Sequence, residues 1–318
     1  MIIFCDGVFD LFHIGHVNHF KKIKSMYPKC KLLVGVMNDK ETTDYKRIPI
    51  YKEFKRCEFV NSCKYVDKVI VEYPSILDED FIIKMKIDLV IHAFSNESDF
   101  FKQKKYFDIP IKLNKFKIIE YNTGISSTKL INKMSQNLNN TISEWETFWY
   151  SKKYLNLNLN LNDSIKEYFD IVTNQLLINH QDKILEIGSG NGIWCKFLNE
   201  NYNYYGIDIS ETLSLRNIKL YASKIFIGDT SSLVFKDKYF DFSFSCFFYN
   251  YIKTNENCLQ TLNEMIRVTK KGIFIIYLGN KDEYEKFYNN VIFKLSKIFK
   301  INTTFQKNIT IIIINLNL

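Results

Sequence analysis

Short apolar runs alternate with segments of helical spacing along almost the whole chain. Residues 2–4 are apolar and lead into a glycine turn, which predicts a first strand, and "GHVNHFKKIKSMY" (15–27) follows with helical periodicity. "KLLVGVMND" (31–39) reads as a second buried strand, followed by a Lys-rich loop, a helix around 52–64 and a strand at "KVIVEY". "FIIKMK" and "DLVIHAF" give another helix and strand, "KFKIIEY" a further strand, and "SSTKLINKM" a short helix. A second series opens at "KILEIGSGNG", with a strand ending at Ile187 and a helix from about 192. Its next strands are "YYGIDIS", "KIFIGD", "FDFSFSCF" and "GIFIIYL", and a helix (282–299) and a hairpin (301–317) complete it. Strands alternating with helices predict parallel, doubly wound sheets.

Between the two series the pattern breaks. "SQNLNNT" is polar, and "LNLNLNLND" (155–163) is low in complexity, with strand-like alternation but no indication of a buried face. "EWETFWYSKKY" between them reads as a helix docking on the second domain. These features put a boundary near 140 and predict two domains, 1–140 and 141–318, which suits a chain of 318 residues. The fold class expected is α/β with two doubly wound, Rossmann-like domains.

Composition changes this picture only modestly. A hydrophobic content of 46% is that of a globular chain. A net charge of +8 suits anionic ligands such as nucleotides and phosphate esters. The lysines are spread without a long basic run, so nucleic acid is not the expected partner. The seven cysteines form no C-x-x-C pair and show no zinc-like spacing, so no metal site is expected. With no signal-peptide pattern, they read as free thiols in the cytoplasm. No apolar run is long enough for membrane insertion, and "ITIIIINLNL" reads as a buried strand.

In the second half, "EIGSGNG" places Glu186, Gly188, Gly190 and Gly192 at the end of a strand. The glycines let the backbone bend and approach a ligand. An acid two residues before the first glycine would repel a pyrophosphate but hold an ammonium, which favours S-adenosylmethionine. Asp208 ends the next strand, where an acid takes ribose hydroxyls, and Asp229 ends the third, near the adenine amino group. With "IGDTSSLVF", "FDFSFSCFFYNYI" and "LNEMIRVTKKGIFIIY" in order, residues from about 140 to 318 resemble the class I SAM-dependent methyltransferase family. The resemblance implies that Glu186, Gly188, Gly190, Asp208 and Asp229 bind SAM, with Glu186 near its methionine end. The methyl acceptor would lie past "SCFFYNY" (245–251), where Tyr249 and Tyr251 are either acceptor contacts or core aromatics.

The first half concentrates its chemistry in "DGVFDLFHIGH". A helix starting at about Ile14 to His16 puts His13 and His16 on one side of a helix N-terminus, an anion site, with Gly15 letting a phosphate approach. Two imidazoles there can donate hydrogen bonds to a phosphate whose charge grows in the transition state. Together with "LLVGVMND", Lys46 and Arg56, "CKYVDKVI", "KIDLVIH" and "TGISSTKLI", this stretch makes residues 1 to about 134 resemble the cytidylyltransferase family of HxGH nucleotidyltransferases. "FDLFHIGHV", "MKIDLVIH" and "IPIKLNKFKIIE" are most similar to the phosphoethanolamine and phosphocholine cytidylyltransferases.

What that resemblance implies is attack of a phosphate monoester on the α-phosphorus of CTP, with pyrophosphate leaving. His13 and His16 would bind the triphosphate, and Lys46 would bridge the α-phosphate and the incoming phosphate. Gly7, Val8 and Phe9 would offer backbone N–H groups. Arg56 would lie near the nucleotide, and Ser126, Ser127 and Thr128 would cap a helix facing phosphate. Asp6 would pair with the amine head of the substrate. Mg2+ is expected with CTP, and a homodimer through the first domain. The chain departs from the family at Tyr121 (an Arg in the family), at "HAFS" (acids absent at 93–94) and at Ser75, where choline-type enzymes carry an aromatic ring. A quaternary ammonium prefers such rings, so the substrate expected is a small phospho-alcohol of the phosphoethanolamine type. His19, His92 and His180 are expected to have core or surface roles. Two other readings stay open: a CDP-glycerol-type or surface-glycan enzyme with O-methylation, and an inactive nucleotide-binding domain attached to an active methyltransferase.

Overall fold

The computed structural model describes residues 1–122, 124–135, 168, 170–252, 254–278, 281–306 and 309–316. It divides into two compact units, Met1–Lys133 and Met134–Leu318. The boundary expected near 140, the helix at 144–154 and the "LNLNLNLND" strand lie outside the described residues. Among the described residues no helix is long and apolar enough to cross a membrane.

Unit 1 alternates strands and helices in the order β1 (Ile2–Gly7), α1 (Ile14–Met26), β2 (Lys31–Val36), α2 (Asp39–Tyr45), α3 (Glu53–Ser62), β3 (Lys68–Ile70), α4 (Glu79–Lys84), β4 (Leu89–His92), α5 (Glu97–Gln103), α6 (Asp108–Lys112), β5 (Phe116–Ile118) and α7 (Ser127–Ser135). The sheet order is β3-β2-β1-β4-β5, and every pair is parallel. β2 buries all but its first residue and β1 its Ile3–Cys5 stretch, because helices cover both faces, which is why they read as apolar runs. The winding direction reverses between β1 and β4, which opens a crevice at the carboxyl ends of those two strands, beside Gly7 and His92.

Two differences from the sequence reading bear on that crevice. The expected Lys-rich loop after β2 contains α2, started by Asn38, whose side chain accepts from Glu41 N at 2.8 Å. Its "DKETTDY" sequence buries only Thr42, so it has no apolar stripe to reveal it. α5 is likewise capped by a side chain, Asn96, which accepts from Asp99 N at 2.9 Å.

The turn between β1 and α1 is strained and clamped. Phe9 and Leu11 have φ of 52° and 48°, left-handed values that cost non-glycine residues about 1–3 kcal/mol each. Their side chains are buried in the core, and Asp10 between them is 1% exposed. The Asp10 carboxylate accepts from Leu11 N (3.0 Å), Tyr51 N (3.0 Å), Ile50 N (2.9 Å) and the Arg47 guanidinium (3.4 Å). It therefore ties the turn to the segment that follows α2.

Unit 2 runs β6 (Lys183–Ile187), α8 (Ile193–Asn201), β7 (Asn203–Asp208), α9 (Glu211–Tyr221), β8 (Lys224–Ile227), β9 (Phe240–Cys246), α10 (Asn255–Val268), β10 (Thr269–Leu278), α11 (Lys281–Phe287), α12 (Phe293–Ser296), β11 (Lys300–Gln306) and β12 (Ile309–Asn315). The sheet order is β11-β12-β10-β9-β6-β7-β8, with the reversal between β6 and β9. β11 and β12 form the expected hairpin, and β12 lies between β11 and β10, antiparallel to both. Its Ile309–Ile314 stretch is buried throughout, as an inner strand requires. The helix expected over 282–299 is divided by a π-helical turn, Tyr288–Ile292, so that α11 and α12 are separate.

Asp10→Ala should destabilise unit 1 by about 3 kcal/mol, because three buried or half-buried N–H groups lose their acceptor in a turn already under strain. Amide hydrogen exchange over residues 2–62 would read this as faster exchange, with unit 2 unchanged.

Candidate functional sites

The crevice of unit 1 holds a cavity of about 460 Å³. The turn after β1 and the N-terminus of α1 form one wall. His13 is the N-cap of α1, and its Nδ1 accepts from Gly15 N at 3.1 Å. His16 reaches back, its Nδ1 accepting from His13 N at 3.4 Å. The two rings stack with centroids 3.8 Å apart. With both Nδ1 atoms accepting, each neutral ring carries its proton on Nε2. The Ser127 hydroxyl, which donates to Asp10 O at 2.6 Å, lies 3.5 Å from His13 Nε2. Burial presses His13 down to about 4; His16 is lowered by burial, then by His13, His19 and Lys46. Both are therefore neutral hydrogen-bond donors at pH 7. Gly15 is required by this packing: a Cβ there would sit 2.9 Å from the His13 ring.

Of the residues singled out in the sequence, Asp6, Gly7, Val8, Phe9, His13, His16, Lys46, Ser126 and Ser127 all line this cavity. Lys46 is the C-cap of α2, and its amine is lowered by partial desolvation and then by Arg47. Arg56 and Thr128 are not in the lining. Arg56 is 0% exposed, and its guanidinium donates to Tyr51 O (3.0 Å), Val8 O (2.6 Å) and Asp39 Oδ1 (2.9 Å). It therefore braces the β1–α1 turn from behind, outside the cavity lining, where the resemblance had implied a place near the nucleotide. Thr128 is exposed on the outer side of α7. Ser75 donates its hydroxyl to Glu41 and is not in the lining.

Residues to which the sequence reading gave no part in binding or catalysis also line the cavity, among them His19 and His92, expected in core or surface roles. His92, at the end of β4, bonds through Nδ1 to Asp6 Oδ1 at 3.1 Å, while Tyr73 donates to Asp6 Oδ2 at 3.1 Å. His19, Tyr45, Arg47, Asp99, Lys102 and Tyr121 contribute as well. The available signal was positional: His92 ends a strand at the winding reversal, and His19 continues the three-residue spacing of His13 and His16. Asp99 accepts from Tyr45 OH (2.9 Å), Gln103 Nε2 (2.6 Å), Ser95 N (2.9 Å) and Ser95 Oγ (2.9 Å). Burial alone would raise its pKa, but these hydrogen bonds outweigh it and hold the carboxyl below its usual range.

In unit 2 a cavity of about 190 Å³ opens at the corresponding reversal, lined by Glu186, Gly188, Gly190, Asp208, Trp194, Cys246, Phe248 and Tyr251 among others. Gly190 N donates to Asp208 Oδ2 and Ser210 N to Asp208 Oδ1, both at 2.8 Å, so Asp208 shapes the glycine turn. Gly188 has φ of +73°, and a Cβ on it would lie 2.5 Å from the Phe248 ring. Glu186 is 2% exposed and accepts from Tyr204 OH at 2.5 Å. Burial pushes it up to about 8, against the Tyr204 hydrogen bond and with help from the Asp208 charge. Asp229 stands apart from this lining: it is exposed and accepts from Ser231 N at 2.8 Å. Tyr249 is a core residue whose hydroxyl meets Met265 Sδ at 3.3 Å, whereas Tyr251 reaches the cavity.

Compared with known proteins, residues 4–151 match the family described as cytidylyltransferase-like, and residues 185–276 match the family described as methyltransferase domain. The chain thus joins a cytidylyltransferase-like domain to a methyltransferase domain. It is 29% identical over 199 residues to choline-phosphate cytidylyltransferase of Saccharomyces cerevisiae, covering 58% of this chain and 45% of that one. It is 34% identical over 141 residues to ethanolamine-phosphate cytidylyltransferase of Arabidopsis thaliana, covering 43% of this chain and 33% of that one. The chain spans about half the length of the curated relatives it matches. A SAM-dependent methyltransferase from Aquifex aeolicus is similar to part of this chain at 17% identity, with a TM-score of 0.37, over 46% of this chain and 88% of that one.

The buried imidazoles set a pH dependence. His13 and His19 have folded pKa values of about 4 against 6.5 unfolded, so between those values the unfolded chain binds more protons. Their contribution to stability is complete above pH 6.5 and is lost as pH falls through 4. Unit 1 should lose stability on acidification over that window, and His13→Gln should flatten the slope of its unfolding midpoint against pH.

Proposed function

We propose that unit 1 transfers CMP from CTP to a small phospho-alcohol of the phosphoethanolamine type, and that unit 2 methylates the same or a related molecule with SAM. The observation that carries the first half is the reciprocal cap of His13 and His16. It consumes both Nδ1 atoms and leaves two neutral Nε2–H donors at the N-terminus of α1, whose Gly15, His16 and Val17 N–H groups are already bound to His13. An oxygen of the acceptor phosphate forms a bond to the α-phosphorus of CTP. The bond from that phosphorus to the bridging oxygen breaks, and pyrophosphate leaves with the electron pair. The nucleophile is already anionic, so catalysis reduces to positioning and charge stabilisation. His13 and His16 donate to the triphosphate as negative charge builds, and Lys46 draws the two phosphates together. Gly7, Val8 and Phe9, with Ser126 and Ser127, enclose the remaining oxygens. Asp6, fixed by His92 and Tyr73, faces the amine of the acceptor. Among the described residues no group of three metal-ligating side chains is gathered, so the Mg2+ that accompanies CTP would be carried by the triphosphate itself.

In unit 2 the residues fit a cofactor with an ammonium at one end and a ribose at the other. A buried carboxyl with a raised pKa stands beside a glycine turn too close-packed for side chains, and Asp208 holds that turn. When bound, SAM would supply the activated methyl group. Glu186 would then give up its proton and pair with the ammonium, and Gly188 and Gly190 would admit the methionine portion. The seven free thiols fit a reducing compartment, and we place the reaction in the cytoplasm.

Pyrophosphate release from CTP across a panel of phospho-alcohols tests the first activity. Phosphoethanolamine should be turned over, and His16→Ala should lower kcat by about 100-fold or more; silence with phosphoethanolamine would sink the reading, and a preference for glycerol 3-phosphate would replace it. Calorimetry tests the second: at pH 7, SAM binding should release protons, seen as a buffer-dependent enthalpy. Glu186→Gln should abolish that release and weaken binding roughly 10- to 100-fold.

A further inference from the structure

One imidazole in the unit 1 cavity has no part in the cap that organises the others. His19 lies one helical turn beyond His16 on α1 and lines the same cavity. Among the described residues, neither of its ring nitrogens has a hydrogen-bond partner. Among the described residues its ring contact is an edge approach to Phe20 at 5.9 Å. His92, Asp6 and Lys22 are close enough for their charges to act on it, and its own charge acts on His16. His19 thus shares the cavity with Asp6 and His92. Burial holds it at about 4, so at pH 7 it offers one N–H and one open lone pair.

We infer that His19 selects the acceptor by accepting a hydrogen bond from an N–H of its amine head, so that unmethylated and partly methylated amines are preferred to a quaternary ammonium. This rests on the reading of Asp6 as the residue that faces the acceptor amine. A primary ammonium has three N–H donors and needs three acceptors. Both Asp6 oxygens already accept, from Tyr73 and His92, so the carboxylate has only its remaining lone pairs to give. The His19 lone pair is a further acceptor in the same cavity. A trimethylammonium group has no N–H to offer, so it would displace water from the imidazole without replacing the hydrogen bond, which disfavours it. The mono- and dimethyl amines fall between, with two and one N–H donors.

The test uses the full chain with phosphoethanolamine, its N-methyl and N,N-dimethyl derivatives and phosphocholine, following pyrophosphate release from CTP for wild type, His19→Ala and His19→Asn. In the wild type, kcat/KM should fall along the series. His19→Ala should lower it roughly 10- to 100-fold for phosphoethanolamine and no more than a few-fold for phosphocholine, flattening the series. His19→Asn, which keeps an acceptor, should restore part of the slope, and the KM for CTP should stay unchanged in both variants. Equal losses for all four acceptors, or a rise in the KM for CTP as the main effect, would overturn the inference. A wild type silent with all four would defeat the acceptor reading itself. Equilibrium binding of phosphoethanolamine and phosphocholine in the presence of a non-hydrolysable CTP analogue then decides the role of His19. A preference for phosphoethanolamine that His19→Ala erases supports it, and unchanged affinities in His19→Ala overturn it.

Discussion

The cavity of unit 1 depends on one buried carboxylate. Asp10 sits between two residues with left-handed backbone and accepts from the chain on both sides of the crevice: Leu11 N in its own turn, Ile50 N and Tyr51 N beyond α2. Without that clamp the strained turn would relax, and with it the start of α1, where His13 and His16 cap each other. Arg56 works from the opposite side. Its guanidinium holds Val8 O and Tyr51 O, so one buried anion and one buried cation fix the same two segments. A buried charge without partners would destabilise the fold by several kcal/mol, so each is retained only because its hydrogen-bonding groups are occupied. The histidines then need no further support.

The two units meet the same topological problem with different chemistry. In each, a ligand crevice opens where the direction of winding reverses, at the carboxyl ends of the central strands. Unit 1 closes its first turn with side chains: a carboxylate clamp, an imidazole cap, and a single glycine whose lack of Cβ leaves room for the His13 ring. Unit 2 closes its turn with backbone: three glycines at positive φ, with Asp208 accepting from Gly190 N. The difference suits the ligands proposed. A triphosphate is held by donors, and neutral imidazoles supply them. A zwitterionic cofactor needs a carboxyl close to its ammonium, and the bare glycine turn admits it beside Glu186.

Much of this was legible in the sequence, and the failures share a cause. Strands such as β2 and β12 are apolar throughout because both faces are covered, and apolar runs are the plainest signal a chain carries. The glycine and histidine motifs were visible because their spacing is local. What was missed is what packs through few apolar residues or acts over long separations. α2 buries only Thr42 and α5 only Gln103, so neither shows the periodicity by which helices are recognised. Arg56 looked like a nucleotide ligand because a charge is expected at a surface, yet three acceptors spread over residues 8–51 make its burial tolerable. His92 and Asp6 are 86 residues apart, and only the parallel pairing of β1 with β4 brings them together.

The departures from the family pattern now carry different weights. The ring expected at Ser75 was an argument about the acceptor, but Ser75 is engaged with Glu41 and lies outside the lining, so the substitution does not bare a wall of the cavity. The loss of acids at 93–94 is also less than it looked. α5 brings Asp99 to the same cavity, ionised by donors from Ser95, Tyr45 and Gln103, and near enough to offset part of the lowering of Lys46 and to help burial raise the Tyr121 hydroxyl. Negative charge at this end is thus supplied from a helix. Because Tyr45 precedes Lys46 and bonds to Asp99 at 2.9 Å, the same contact anchors the end of α2 from which the lysine extends. The cavity keeps its balance of cations and anions with different residues, and that balance, more than any one motif position, is what an acceptor with a charged head would meet.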